Sequence, residues 1–131
     1  MALMGPLYQT GDWQKEKHVP VIEGPEQVKK GEPASFTLSV GKGIAHPNTT
    51  EHHIAWFEAW FLPDGEKFPY LVSRVEFAAH GASVQGPNTS TVFAHPEARV
   101  VLNTGKSGTL IATSYCNIHG LWESSRNVSV D

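Results

Sequence analysis

Cys116 and His119 stand two residues apart in Cys116-Asn117-Ile118-His119-Gly120. That spacing lets one tight turn aim a thiolate and an imidazole at a common point, and such a donor pair suits a borderline transition metal such as zinc, copper or iron. Alone, Cys-x-x-His is a weak signal. It gains weight from its place after a strand ending at Tyr115, with Gly120 to release the turn, and from a supply of seven histidines in 131 residues. Three more of them sit in settings suited to ligation: His18 between Glu16-Lys17 and Val19-Pro20, His46 before Pro47 in a loop, and His52 at the close of that loop. His52 and His53 on extended backbone point to opposite faces, so only one of them serves a given metal, and His52 is favoured. His53, His80 and His95 are expected to be hydrogen-bonded or exposed. For Cys116 the ordinary alternative is a small buried apolar side chain.

These residues need a frame to position them. Ser35 to Val40 alternates polar and apolar, the period of a half-buried strand. Ile54 to Phe61 is apolar and aromatic on both faces apart from Glu58 and reads as a central strand. Pro63-Asp64-Gly65 reads as the turn after it. Tyr70 to Ala79, Thr89 to Phe93, Arg99 to Leu102, Thr109 to Tyr115 and Asn127 to Val130 are further strand candidates. No segment carries a sustained helical apolar stripe with caps. The chain is therefore expected to be a single all-β domain, residues 1–131. Its architecture is expected to be an immunoglobulin-like antiparallel β-sandwich of about seven strands, with an irregular N-terminal arm over the first 17 residues.

Composition narrows the function classes. With 40% hydrophobic residues the chain can build a core. A formal net charge of −3 and the lack of a basic stripe argue against nucleic acid as the partner. The longest apolar stretch, around Ile54 to Leu62, is too short to cross a membrane and carries Glu58. The start, Met1 to Leu7, lacks a basic region and a sustained apolar run, so it does not read as a secretory signal. One cysteine excludes an internal disulfide and points to a reducing, cytoplasmic setting. The Asn-x-Ser/Thr matches at Asn48, Asn88 and Asn127 are then chance hits on a common triplet.

Several chemistries compete for the cysteine and histidines. A blue-copper electron carrier uses a sandwich, a cysteine and histidines, but it adds a weak axial methionine after the cysteine, and the only methionines here are Met1 and Met4. A structural zinc site needs four closed ligands and leaves a fifth unexplained. A plain interaction domain leaves the Glu16-Lys17-His18 and Cys116-to-His119 blocks unexplained. A cysteine protease finds neither a helix N-terminus to activate the thiol nor a protease signature. Gly105-Lys106-Ser107 resembles the end of a phosphate loop, but Val100 stands where that pattern needs glycine, so it reads as a hairpin turn.

Three blocks resemble the superoxide reductases of the single-iron, neelaredoxin-type class: Glu16-Lys17-His18-Val19-Pro20, His46 to Ile54, and Ser114 to Glu123. The likeness runs across nearly the whole chain, including Ala79-His80-Gly81 and Ser83 to Asn88. It implies one iron ion per chain, with His18, His46, His52 and His119 as equatorial ligands and Cys116 as the axial thiolate. It further implies an open position opposite the sulfur, with Glu16 filling it in the resting ferric state and Lys17 near it in the reduced state. The implied reaction is one-electron reduction of superoxide to hydrogen peroxide, with the iron re-reduced by a donor protein such as rubredoxin. A homotetramer is also implied, and the apolar start Met1 to Leu7 is available to pack on a neighbour. The extra four-cysteine iron domain of two-iron relatives is not expected, since no cysteine precedes Cys116.

Overall fold

Eight strands form in the computed structural model, which describes residues 1–131. They are β1 (Val21–Glu23), β2 (Gln27–Val28), β3 (Ala34–Ser39), β4 (Ile54–Pro63), β5 (Tyr70–Glu76), β6 (Glu97–Leu102), β7 (Gly108–Cys116) and β8 (Gly120–Val130). One sheet has the order β1-β3-β6 and the other β2-β8-β7-β4-β5. The pairs are antiparallel except β2 on β8. The result is the expected all-β sandwich.

Alternation along the strands builds the layers. In β6, Ala98, Val100 and Leu102 turn inward while Glu97, Arg99 and Val101 face out. Phe36 and Leu38 of β3 meet Phe57, Ala59 and Phe61 of β4 in a cluster of 16 buried residues between the sheets. Burying a phenylalanine or leucine this fully contributes about 1.5–3 kcal/mol. The same cluster includes Ile54 and Cys116, so the single thiol is part of the core. No helix is long and apolar enough to cross a membrane.

Three segments converge at that end of the sandwich. The β7–β8 hairpin closes at Cys116 opposite Gly120, and Asn117-Ile118-His119 makes the connection. Gly120 has φ +83°, a left-handed conformation in which glycine carries no steric cost. The loop from β3 delivers His46 and His52, and Ile54, the first residue of β4, pairs with Cys116. The arm is the third segment. It is irregular, as expected, yet well anchored: Gln9 bonds both Leu121 and Glu123 through its backbone, and Ser114 Oγ donates to the His18 carbonyl at 3.1 Å.

The structure corrects the sequence reading at four places. Thr89 to Phe93 is not a strand. Ser90 N–H and Thr89 Oγ donate to Gly81 and Gly86 of their own loop, Val92 and Phe93 stay exposed, and only Phe93 bridges to His80. β1 and β2 went unanticipated, because two or three residues show no period. β8 begins at Gly120, seven residues before the alternation at Asn127 becomes readable. Gly105-Lys106-Ser107 is not a hairpin turn: β6 pairs with β3 in one sheet and β7 lies between β4 and β8 in the other, so this link crosses between layers.

Candidate metal centre

His18 ends the arm just before β1, buried with Val19 and Pro20. Its ring stacks on Trp122 of β8, with centroids 4.7 Å apart and planes 11° from parallel. His46 and His52 come from the loop before β4. Within it, Thr49 N–H donates to the His52 carbonyl and His52 N–H to Thr49 Oγ1, so a closed turn sets the angle of the His52 ring. Cys116 is fully buried, whereas His119 is exposed on the hairpin tip. The His119 N–H donates to Cys116 Sγ at 3.3 Å, and Gln9 Nε2 holds the His119 carbonyl at 2.8 Å.

The four imidazoles close a ring. Centroid separations are 4.8 Å for His18–His46, 4.8 Å for His46–His52, 5.1 Å for His52–His119 and 4.8 Å for His119–His18. Interplanar angles between 52° and 81° turn each ring's edge toward its neighbours. The donor atoms of His18, His52, Cys116 and His119 all lie within 4.8 Å of one another. His18 Nε2 is 3.2 Å from His119 Nδ1, and Cys116 Sγ is 3.8 Å from the same nitrogen. His46 completes the circle through its contacts with His18 and His52.

Hydrogen bonds on the far side of the rings assign their free nitrogens. His46 Nδ1 donates to the Pro47 carbonyl at 2.6 Å and His18 Nδ1 to Glu16 Oε1 at 2.5 Å. Each bond leaves a lone pair on Nε2 facing inward, which is how outer partners fix the tautomer of a metal-ligating histidine. The Nε2 atoms of His46 and His52 are buried with no hydrogen-bond partner. Buried polar atoms are rarely left unpaired, so these orphaned acceptors, converging beside a thiol, fit a metal ion. Burial pushes the His46 pKa down to about 4, with help from His18, His52 and Lys17. Burial also lowers the pKa of His52, aided by His119, His18 and Lys17. Both rings are therefore neutral near pH 7 and need lose no proton to bind a cation.

Glu16 sits one bond behind the cluster. Burial alone would raise its pKa, but the His18 ring and backbone N–H hold it below the usual range. In this structure its carboxylate faces His18 Nδ1, whereas the sequence reading placed it on the metal in the oxidised state. Lys17 is half-buried and close enough for its charge to act on His46 and His52. His53 turns away, as expected from alternation. It donates from Nδ1 to the Thr49 carbonyl and stacks face to face on His80, with centroids 3.5 Å apart. His95 lies outside the cluster, and Met1 and Met4 are exposed at the chain start, so no axial methionine is available for a blue-copper site. Sequence reasoning missed Trp122, which backs His18, and Asn117. Asn117 Nδ2 donates to the Glu51 carbonyl and its Oδ1 accepts from His53 N–H, tying hairpin to loop. Its place inside the Cys-x-x-His turn was the only available signal.

A family model described as Desulfoferrodoxin matches residues 10–125. The chain belongs to the desulfoferrodoxin family. It is 60% identical to a superoxide reductase of Pyrococcus furiosus, over 92% of this chain and 95% of that one. It is 48% identical to a neelaredoxin of Megalodesulfovibrio gigas, over 97% and 98%. Among solved structures, the superoxide reductase (neelaredoxin) of Archaeoglobus fulgidus in the reduced form superposes with a TM-score of 0.87 at 59% identity, covering 94% of this chain and 98% of that one.

Proposed function

We propose that His18, His46, His52, His119 and Cys116 hold one iron ion per chain, and that superoxide is reduced there to hydrogen peroxide. The observation that carries this reading is the closed ring of four imidazoles beside a buried thiol, with two ring nitrogens buried and unpartnered. The high identity to superoxide reductases supports the same assignment. On this reading the chain is an oxidoreductase, and its 131 residues act as one iron-binding domain.

Iron held by these residues would supply the single electron that, with two protons from water, converts superoxide to hydrogen peroxide. Neutral imidazoles from His18, His46, His52 and His119 with one thiolate from Cys116 would leave a ferrous ion with net positive charge, which favours an anionic substrate. Lys17 adds a second positive charge beside the ring and draws the anion in. Cys116, as thiolate, donates electron density, and the His119 N–H bond steadies its charge. Glu16 keeps the His18 Nε2 lone pair inward while its own carboxylate is engaged. A donor protein returns the electron, and rubredoxin is the donor implied by the family resemblance. A cytoplasmic homotetramer is the matching setting, with the exposed Leu3, Met4 and Leu7 available for contact between copies.

Product stoichiometry tests the reading. Iron-loaded, pre-reduced protein given limiting superoxide is expected to form one hydrogen peroxide per superoxide consumed. One peroxide per two superoxides would mark a dismutase and overturn the proposal.

A further inference from the structure

The loop that delivers His46 and His52 has no regular structure of its own, and neither does the segment from Phe77 to Ala94 beside it. They hold each other. Asn88 Oδ1 accepts from Thr50 N–H at 3.0 Å, and Asn88 N–H donates to Thr50 Oγ1 at 3.1 Å. Asn88 Nδ2 reaches both Glu51 carboxylate oxygens, at 2.9 and 2.7 Å. Thr50 Oγ1 goes on to the His80 carbonyl at 2.8 Å. Behind it, Asn48 Nδ2 donates to the Ala94 carbonyl at 3.0 Å while its Oδ1 lies 3.1 Å from His80 Nδ1.

Asn88 is also the only non-glycine residue with positive φ, at 56°. Asparagine enters that region more readily than other non-glycine residues, because its short polar side chain can hydrogen-bond locally. Here the conformation turns both the carboxamide and the backbone N–H of one residue onto Thr50 and Glu51, immediately before His52.

We propose that Asn88 is a positioning residue for the metal centre: by clamping Thr50 and Glu51 it fixes where His52 and His46 point. This rests on the proposed iron site. The clamp acts through the loop and touches neither ligand ring. Nothing in the local sequence of Ser83 to Thr89 announces it, because the bonds are made across 37 and 38 residues of chain.

Two substitutions separate the carboxamide from the backbone. Asn88→Gly keeps the left-handed turn and removes the three side-chain bonds, whereas Asn88→Ala removes the bonds and opposes the turn. Both iron-loaded variants are expected to release iron to excess EDTA about tenfold faster than the parent, the low end of outer-partner effects on metal affinity. Their sulfur-to-iron absorption band is expected to shift, while thermal unfolding of the metal-free Asn88→Gly protein stays close to the parent. A swapped pair, Asn88→Asp with Glu51→Gln, exchanges donor and acceptor and is expected to recover most of what Asn88→Asp alone loses. Parent-like release and an unshifted band in Asn88→Gly would overturn the proposal, because the turn alone would then suffice. A parent that takes up no iron would sink the proposed function instead. In that case amide exchange at Thr50 in the metal-free protein decides the clamp: faster exchange in Asn88→Gly supports it, and unchanged exchange refutes it.

Discussion

Two groups of histidines lie back to back at one end of this sandwich, and they are built to opposite ends. His18, His46, His52 and His119 form a ring of tilted and edge-to-face contacts, and the Nε2 atoms of His46 and His52 are buried in it without partners. His53 and His80 lie face to face, 5° from parallel, with His53 Nδ1 donating to the Thr49 carbonyl and His80 Nε2 to the Phe77 carbonyl. Burial weakens proton binding at His80 just as it does at His46 and His52. A lowered pKa therefore does not mark a ligand here. What separates the groups is convergence: the first closes a ring beside the Cys116 thiol with the His46 and His52 Nε2 atoms buried and unpartnered in it, and the second does not.

The largest expected effect is at the thiol shared by core and ring. Cys116→Ser is expected to abolish the sulfur-to-iron absorption band and lower superoxide consumption by at least about 100-fold, since thiolate ligation has no hydroxyl equivalent. Next comes the neighbouring pair His52 and His53. His52→Ala is expected to weaken iron retention by about 100-fold or more, beyond the range of outer-partner losses. His53→Ala is expected to cost the fold about 1 kcal/mol and keep one iron per chain. Equal iron contents in the two variants would break the distinction between the groups.

A smaller effect is expected at Lys17. Replacement by alanine should slow superoxide capture about tenfold at low salt, with the difference shrinking as ionic strength rises. A second-order rate unchanged in stopped flow would remove the steering role. Acid titration of the metal-free protein sharpens the same comparison. The unfolded histidine pKa is near 6.5, and that of folded His46 is about 4. Between those values the unfolded chain binds a proton that the folded chain does not. Denaturant stability is thus expected to fall as pH drops from about 6.5 toward 4, and His46→Gln should flatten that slope. The mildest change is expected for Glu16→Ala, with catalysis largely retained and an altered ferric spectrum. An identical spectrum would leave Glu16 only its observed bond to His18.

Much of the frame was readable because burial imprints a period. β4 announces itself by a run of aromatic and aliphatic residues, and β6 by strict alternation. Thr89 to Phe93 carries similar residue types but satisfies its backbone within its own loop, so propensity misled there. The histidines and the cysteine were legible as residue types at short spacing. The partners that orient them were not: Trp122 behind His18, Asn117 across the hairpin and Asn88 beside the loop act over sequence distances that only the fold closes. Glu16 was legible as a neighbour of the site, while its bond to His18 Nδ1 depends on the bend of the arm.

Metal analysis paired with the visible spectrum of the oxidised protein tests the central claim most directly. The account predicts about one iron per chain and a sulfur-to-iron band that bleaches on reduction and returns when superoxide is added. A colourless protein with tightly held zinc, or one that consumes no superoxide after iron loading, would contradict it.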